Sequence, residues 1–213
     1  HMEYNVLQIG AHIGWTNNNQ FVLNKINNRS KCLFVEPIKE LYDVLVSNFN
    51  RVYPNNEFVF LNHAVGSENG HITLYKPLIG LHTFNEPYYI EKELPHFVDM
   101  LTSIHPKHVE DHYIKVDVEE ISVECHTINQ IILNNQITEL DYLVIDTEGN
   151  DFHILFPLDF NLLKPKTIKF EHKHMEGTNT VVGENYSRLM EKLTTNGYHV
   201  VSVDDEDTVV SLD

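Results

Sequence analysis

Val6-Leu7-Gln8-Ile9-Gly10-Ala11-His12-Ile13-Gly14 is the stretch that decides how this chain folds. The apolar run Val6 to Ile9 closes on a glycine and reads as a buried strand. Gly10 and Gly14 let the backbone turn sharply and approach a ligand closely. Thr16 or Asn17 then caps a helix whose apolar face is Phe21, Val22 and Ile26. The N-terminus of that helix offers backbone N–H groups to a negative group. The bland alternative is a plain tight turn. The three-glycine dinucleotide fingerprint is absent, which disfavours a nicotinamide cofactor.

Outward from this stretch, strands alternate with helices. Leu33 to Val35 is a second strand. Pro37 opens a helix with the stripe Leu41, Val44, Leu45, Phe49 and Val52. Glu57 to Asn62 reads as a third strand, and His71 to Tyr75 as a short extra one. Ile121 to Cys125, Tyr142 to Ile145 and Thr167 to Phe170 are further strands, with helices near Ile128–Leu133 and Tyr186–Leu193. Tyr198 to Val203 and Thr208 to Leu212 flank the acidic turn 204–207, an antiparallel hairpin. The pattern predicts a mostly parallel α/β sheet covered on both faces. Residues 76–120 carry four of the eight prolines and read as a cap or lid inserted in one domain of residues 3–213.

The chain has 213 residues and a formal charge of −16, from 15 Lys+Arg against 31 Asp+Glu. That length can bury a core. The acidic balance argues against a nucleic-acid partner and against an anionic membrane surface. No run of roughly 18 apolar residues offers a membrane span. No signal peptide precedes the first strand, so a cytoplasmic location is expected. Cys32 and Cys125 sit in apolar runs and read as buried free thiols.

Ligands of open parallel sheets bind outside the carboxyl ends of the strands. Polar segments follow the strands at 8–16, 36–37, 62–66, 146–151 and 171–174. Glu36 stands where a carboxylate can accept hydrogen bonds from both ribose hydroxyls. It can equally be an acid stabilised by a helix dipole. Asp146-Thr147-Glu148-Gly149-Asn150-Asp151 follows an apolar run abruptly. Acids in a cleft are costly unless solvated, paired or metal-bound. After the next strand comes Glu171-His172-Lys173-His174. Strand alternation puts Glu171 with Lys173, and His172 with His174, as acid/base groups or metal ligands.

As a set, Leu7-Gln8-Ile9-Gly10-Ala11-His12-Ile13-Gly14, Phe34-Val35-Glu36-Pro37, Asn62-His63-Ala64-Val65-Gly66, Ile145-Asp146-Thr147-Glu148-Gly149 and Phe170-Glu171-His172 resemble the FkbM-type methyltransferases. Order and spacing match from about residue 5 to 175. The resemblance implies a class I, Rossmann-like, doubly wound sheet with a C-terminal antiparallel hairpin. It implies O-methyl transfer from S-adenosylmethionine, often to sugar hydroxyls of glycans or glycoconjugates. Gly10 and Gly14, with Ala11, His12 and Thr16 of the same loop, are then expected around the methionine part of the cofactor. Glu36, next to Pro37, is expected at the ribose. Asn62, His63 and Ala64 are expected beside the adenine, and Asp146 with Thr147 at the methionine or reaction centre. Gln8 departs from the family, which usually has an acid there. It can hydrogen-bond, but it cannot pair with the cofactor's ammonium by charge.

A sugar hydroxyl needs deprotonation or a metal before it can attack. In one scheme His172, His174 or His12 is the general base. In the other, Asp146 and Glu171 hold Mg²⁺ or Mn²⁺, which lowers the hydroxyl pKa. The acceptor, a deoxyhexose such as rhamnose or fucose by resemblance, is expected beneath the 76–120 insertion. There His82, Phe84, Tyr88 and Tyr89 can stack on a sugar ring, with Trp15 and Glu148 as further acceptor-side residues. Ordinary packing is the bland alternative for these aromatics. His1-Met2 reads as a cloning scar, and the chain as a domain cut from a longer polypeptide that carries other glycan-processing domains. Two rival functions are a nicotinamide-dependent oxidoreductase and a non-catalytic domain that positions a partner.

Overall fold

Val6 and Leu7 have no exposed surface, and Ile9 is almost as buried. They belong to β1 (Met2–Ile9), the strand around which the protein is built. The computed structural model describes residues 2–16, 19–77, 118–177 and 183–213. β1 pairs in parallel with β2 (Cys32–Val35) on one side and β7 (Ile137–Ile145) on the other. Both faces of these strands are covered, so each reads as a continuous apolar run where they lie side by side. Leu7, Ile9, Leu33, Val35, Leu143 and Ile145 pack on one face. Val6, Phe34 and Val144 pack on the other, against Leu45 and Phe49.

The main sheet has seven strands in the order β3-β2-β1-β7-β8-β10-β9. β3 is Val59–Leu61, β8 Thr167–Glu171, β9 His199–Val203 and β10 Asp207–Ser211. The terminal hairpin forms as expected, but its second strand lies inside. β10 runs antiparallel between β8 and β9. Burial explains the order: Thr208 and Val210 are fully buried in β10, whereas Val200, Val201 and Val203 of β9 are about half exposed. A second sheet has three strands in the order β4-β6-β5, from Ala64–Val65, Val118–His126 and Gly70–Pro77. Most of the 76–120 insertion lies outside the described residues, as do His82, Phe84, Tyr88, Tyr89 and Asn17. The two ends of that segment leave side by side, because Pro77 pairs with Val118.

Five helices connect these strands among the described residues: α1 (Gln20–Leu23), α2 (Lys39–Val52), α3 (Ile128–Asn134), α4 (Asp151–Leu155) and α5 (Glu184–Thr195). α1 is a single turn, shorter than the stripe to Ile26 predicts. Asn27 takes over the backbone beyond it: its side chain accepts from the Arg29 N–H, and its own N–H donates to Ser30 Oγ. Such local bonds compete with helix. α4 has no stripe long enough to be read from sequence, and Pro157 follows it closely. Cys32 and Cys125 are buried free thiols.

Candidate active site at the carboxyl ends of the central strands

Chain order reverses between β1 and β7, and a cleft opens there. Gly10 forms its floor with φ +79°. A Cβ on Gly10 would come within 1.8 Å of the Asp146 carbonyl oxygen. The loops after β1 and β7 therefore touch backbone to backbone, and only glycine fits between them. The N–H groups of Gly10 and Ala11 both donate to the Val35 carbonyl at 3.0 Å. Gly14 acts elsewhere. Its Cβ would lie 2.5 Å from the Phe49 ring, so it seats the loop on α2. Trp15 also packs on Phe49, with ring centroids 4.6 Å apart. Ala11 is fully buried, and its carbonyl accepts from Asn19 Nδ2.

Glu36 directly follows β2 and is 5% exposed. Its Oε2 accepts from the His12 N–H at 2.8 Å and its Oε1 from the Ile38 N–H at 2.9 Å. The carboxylate lines the cleft, where a ribose diol can donate to it. Asn62 lies on the outside and straps this corner, donating to the carbonyls of Glu36 and Pro37. His63 and Ala64 do reach the cleft wall, as do Pro37, His12 and Thr16. Ile72 and Leu74, from β5, close the apolar side. Two residues apart on one strand, they share a face of it. Gln8 lies below the loop, 2% exposed, with Oε1 buried and unpartnered among the described residues. Five expected contact residues thus stand off the cleft wall: Gln8, Ala11, Gly14, Trp15 and Asn62.

Asp151, absent from the sequence-based site, organises the far end. It has no exposed surface. Thr147 donates to its Oδ1 through N–H (3.0 Å) and Oγ1 (2.5 Å), and the Glu171 N–H donates to Oδ2 at 2.8 Å. One carboxylate therefore ties the end of β7 to the end of β8. Burial pushes its pKa up to about 6. The loop between folds back through Glu148 at φ +52° and Gly149 at φ +103°. Asn150 then anchors it to the Val65 carbonyl.

Past β8 the strand alternation fails. The N–H groups of His172 and Lys173 both donate to the Glu206 carbonyl, and the chain turns. The turn brings Glu171 and His174 together, with His174 Nδ1 2.5 Å from Glu171 Oε1. Glu148 Oε2 lies 3.6 Å from the same nitrogen. Burial holds the Glu148 and Glu171 carboxyls well above the usual carboxylate range, and the surrounding acids add to it. His172 faces away instead, its Nδ1 hydrogen-bonded to Thr208 Oγ1, which also meets the Tyr186 hydroxyl. Burial depresses its pKa. Among the described residues the group with metal-ligand proximity is Glu148, Glu171 and His174, in place of the expected Asp146 and Glu171. Asp146 lines the cleft beside Gly10.

Residues 8–200 match the FkbM methyltransferase domain. The chain belongs to that family. It is an S-adenosylmethionine-dependent methyltransferase, and its sheet is the mostly parallel, Rossmann-like sheet of class I enzymes with the antiparallel hairpin at its end. An FkbM methyltransferase of Methylobacillus flagellatus superposes with a TM-score of 0.51 at 13% identity, over 98% of this chain and 43% of that one. TomG, an O-methyltransferase of Streptomyces achromogenes solved with S-adenosylmethionine, gives 0.50 at 11% identity, over 97% and 72%. An O-methyltransferase of Bacillus cereus gives 0.48 at 14% identity, over 97% and 73%. At these identities the likeness is one of fold. No curated protein sequence matches the chain significantly. Within this FkbM domain the residues present fit the cofactor. A glycine position with no room for a Cβ, a buried carboxylate held by two backbone N–H groups and an apolar wall converge on one cleft.

Proposed function

We propose that this domain methylates a hydroxyl of a neutral sugar in a glycan or glycoconjugate, a deoxyhexose such as rhamnose or fucose being the leading acceptor. The observation that carries the reading is the arrangement of acids on one cleft: Glu36 at one end, Asp146 and Glu148 at the other. Glu36 would hold the ribose, Ala64 and His63 the adenine, and Gly10 with Asp146 the methionine part. When bound, S-adenosylmethionine would supply a sulfonium methyl group open to in-line attack by the acceptor oxygen, with S-adenosylhomocysteine leaving as the neutral thioether. The hydroxyl proton passes to the Asp146 carboxylate as the new O–C bond forms. Glu36 and Asp146 on the cleft wall disfavour a polyanionic acceptor and tolerate a neutral one, which supports a sugar.

The acceptor side is assigned to residues 76–120. That segment springs from the β5–β6 pair, and Ile72 and Leu74 of β5 already line the cleft. His82, Phe84, Tyr88 and Tyr89 are its proposed sugar-stacking residues. We read 3–213 as one domain of a longer glycan-processing polypeptide acting in the cytoplasm. Two buried free thiols suit a reducing compartment, and no helix among the described residues is long and apolar enough to cross a membrane. Isotope-labelled S-adenosylmethionine with a panel of deoxyhexosides tests the reading by mass spectrometry. One labelled methyl on a rhamnoside or fucoside is expected. Asp146→Asn should lower turnover by about a hundredfold or more. No labelled product from any sugar would contradict it.

A further inference from the structure

Four carboxyl groups crowd the end of β7 and β8: Asp146, Glu148 and Asp151 each raise the charge cost of Glu171. Asp151 is used by the hydrogen bonds that join the strand ends. Three residues remain grouped, each offering a ligand atom within 4.8 Å of the others: Glu148, Glu171 and His174. Glu171 is 7% exposed, and its Oε2 is buried with no hydrogen-bond partner among the described residues. A buried carboxylate with one oxygen on an imidazole, the other unsatisfied, and a second acid in the same group suits a cation. Lys173 is the lysine nearby, and its Nζ is bound to Glu206 at 2.5 Å.

We propose that Glu148, Glu171 and His174 bind a divalent cation of the Mn²⁺ class. Two carboxylates suit Mg²⁺ and Mn²⁺ alike, but an imidazole ligand favours Mn²⁺, because Mg²⁺ prefers oxygen and water. Bonds of about 2.1 Å put neighbouring ligand atoms about 3 Å apart. His174 Nδ1 lies 2.5 Å from Glu171 Oε1 and 3.6 Å from Glu148 Oε2, so each carboxylate needs to move only about half an ångström relative to the imidazole, and all three ligand atoms already lie within 4.8 Å of one another. The frame around them is held: Asp151 fixes the Thr147 and Glu171 backbones, and Asn150 anchors the loop that carries Glu148. Glu148 lines the cleft, so a cation it holds would stand at the edge of that cleft. There the cation binds the acceptor hydroxyl oxygen and lowers its pKa. Only this use of the cation rests on the methyl-transfer reading.

The test is Mn²⁺ titration of the cofactor-free chain, followed by the electron paramagnetic resonance signal of free Mn²⁺. One equivalent should disappear from the free signal, and Mg²⁺ should displace it only at an excess of about tenfold or more. Glu148→Gln and His174→Asn should each weaken binding by about tenfold or more, with far-UV circular dichroism and urea denaturation as the fold control. An unchanged free signal with the unmodified chain overturns the site, whatever the variants do. Full Mn²⁺ affinity in both variants overturns it as well, and displacement by equimolar Mg²⁺ overturns the metal class. If the chain binds cofactor but not Mn²⁺, the cation site fails and the methyl-transfer reading stands. If it binds Mn²⁺ but no cofactor, the reverse holds.

Discussion

The backbone N–H of Glu171 donates to Asp151 Oδ2 at 2.8 Å, and Asp151 has no exposed surface. This bond sets the spacing between the cleft loop after β7 and the acidic group after β8. Burial moves the Asp151 pKa from its ordinary 3.8 to about 6. Between those values the folded chain binds more protons than the unfolded one. The group's contribution is therefore fully present below the lower value and is lost as pH rises through the upper one. Asp151→Asn should destabilise the cofactor-free protein, because an amide nitrogen cannot accept these bonds. The loss should be larger near pH 4 than at about pH 7.5. Urea denaturation of both proteins at the two pH values checks this, and an equal loss at both would contradict it.

Gly10→Ala tests the contact between the two loops. The new methyl meets the Asp146 carbonyl oxygen at 1.8 Å, and φ +79° strains any side chain. The variant should lose about 1–3 kcal/mol of stability or more. Cofactor affinity should fall with it, since the floor of the cleft must shift. Calorimetric titration at a temperature where the variant is folded reads the second effect.

His172→Ala separates stability from chemistry. His172 is 1% exposed and bonded to Thr208, off the cleft wall. The variant should cost about 1–2 kcal/mol, while turnover stays within about threefold. Thr208→Val should behave alike. A turnover loss of about a hundredfold with an unchanged melting temperature would restore His172 as the general base.

The sheet was legible because buried parallel strands are apolar without interruption. Val6 to Ile9, Leu33 to Val35 and Leu143 to Ile145 carry that signal in their own residues. The polar segments at their ends located the cleft for the same local reason. What escaped was set by distant partners. The turn that joins Glu171 to His174 depends on the Glu206 carbonyl, so strand periodicity paired the wrong side chains. Gly14 and Trp15 look like ligand-loop residues until Phe49 comes in from α2. Asp151 stood in the quoted acidic run, but nothing local marks it as the member that faces inward.

The central claim is that S-adenosylmethionine binds at the carboxyl ends of β1 and β2, with its ribose on Glu36. Calorimetric titration of the cofactor into the unmodified chain and into Glu36→Ala tests it most directly. The unmodified chain should bind one equivalent, and the variant should bind more weakly by about 1–3 kcal/mol, the loss of hydrogen bonds to a charged group. Absence of binding to the unmodified chain, or equal affinity in the two, would contradict the account.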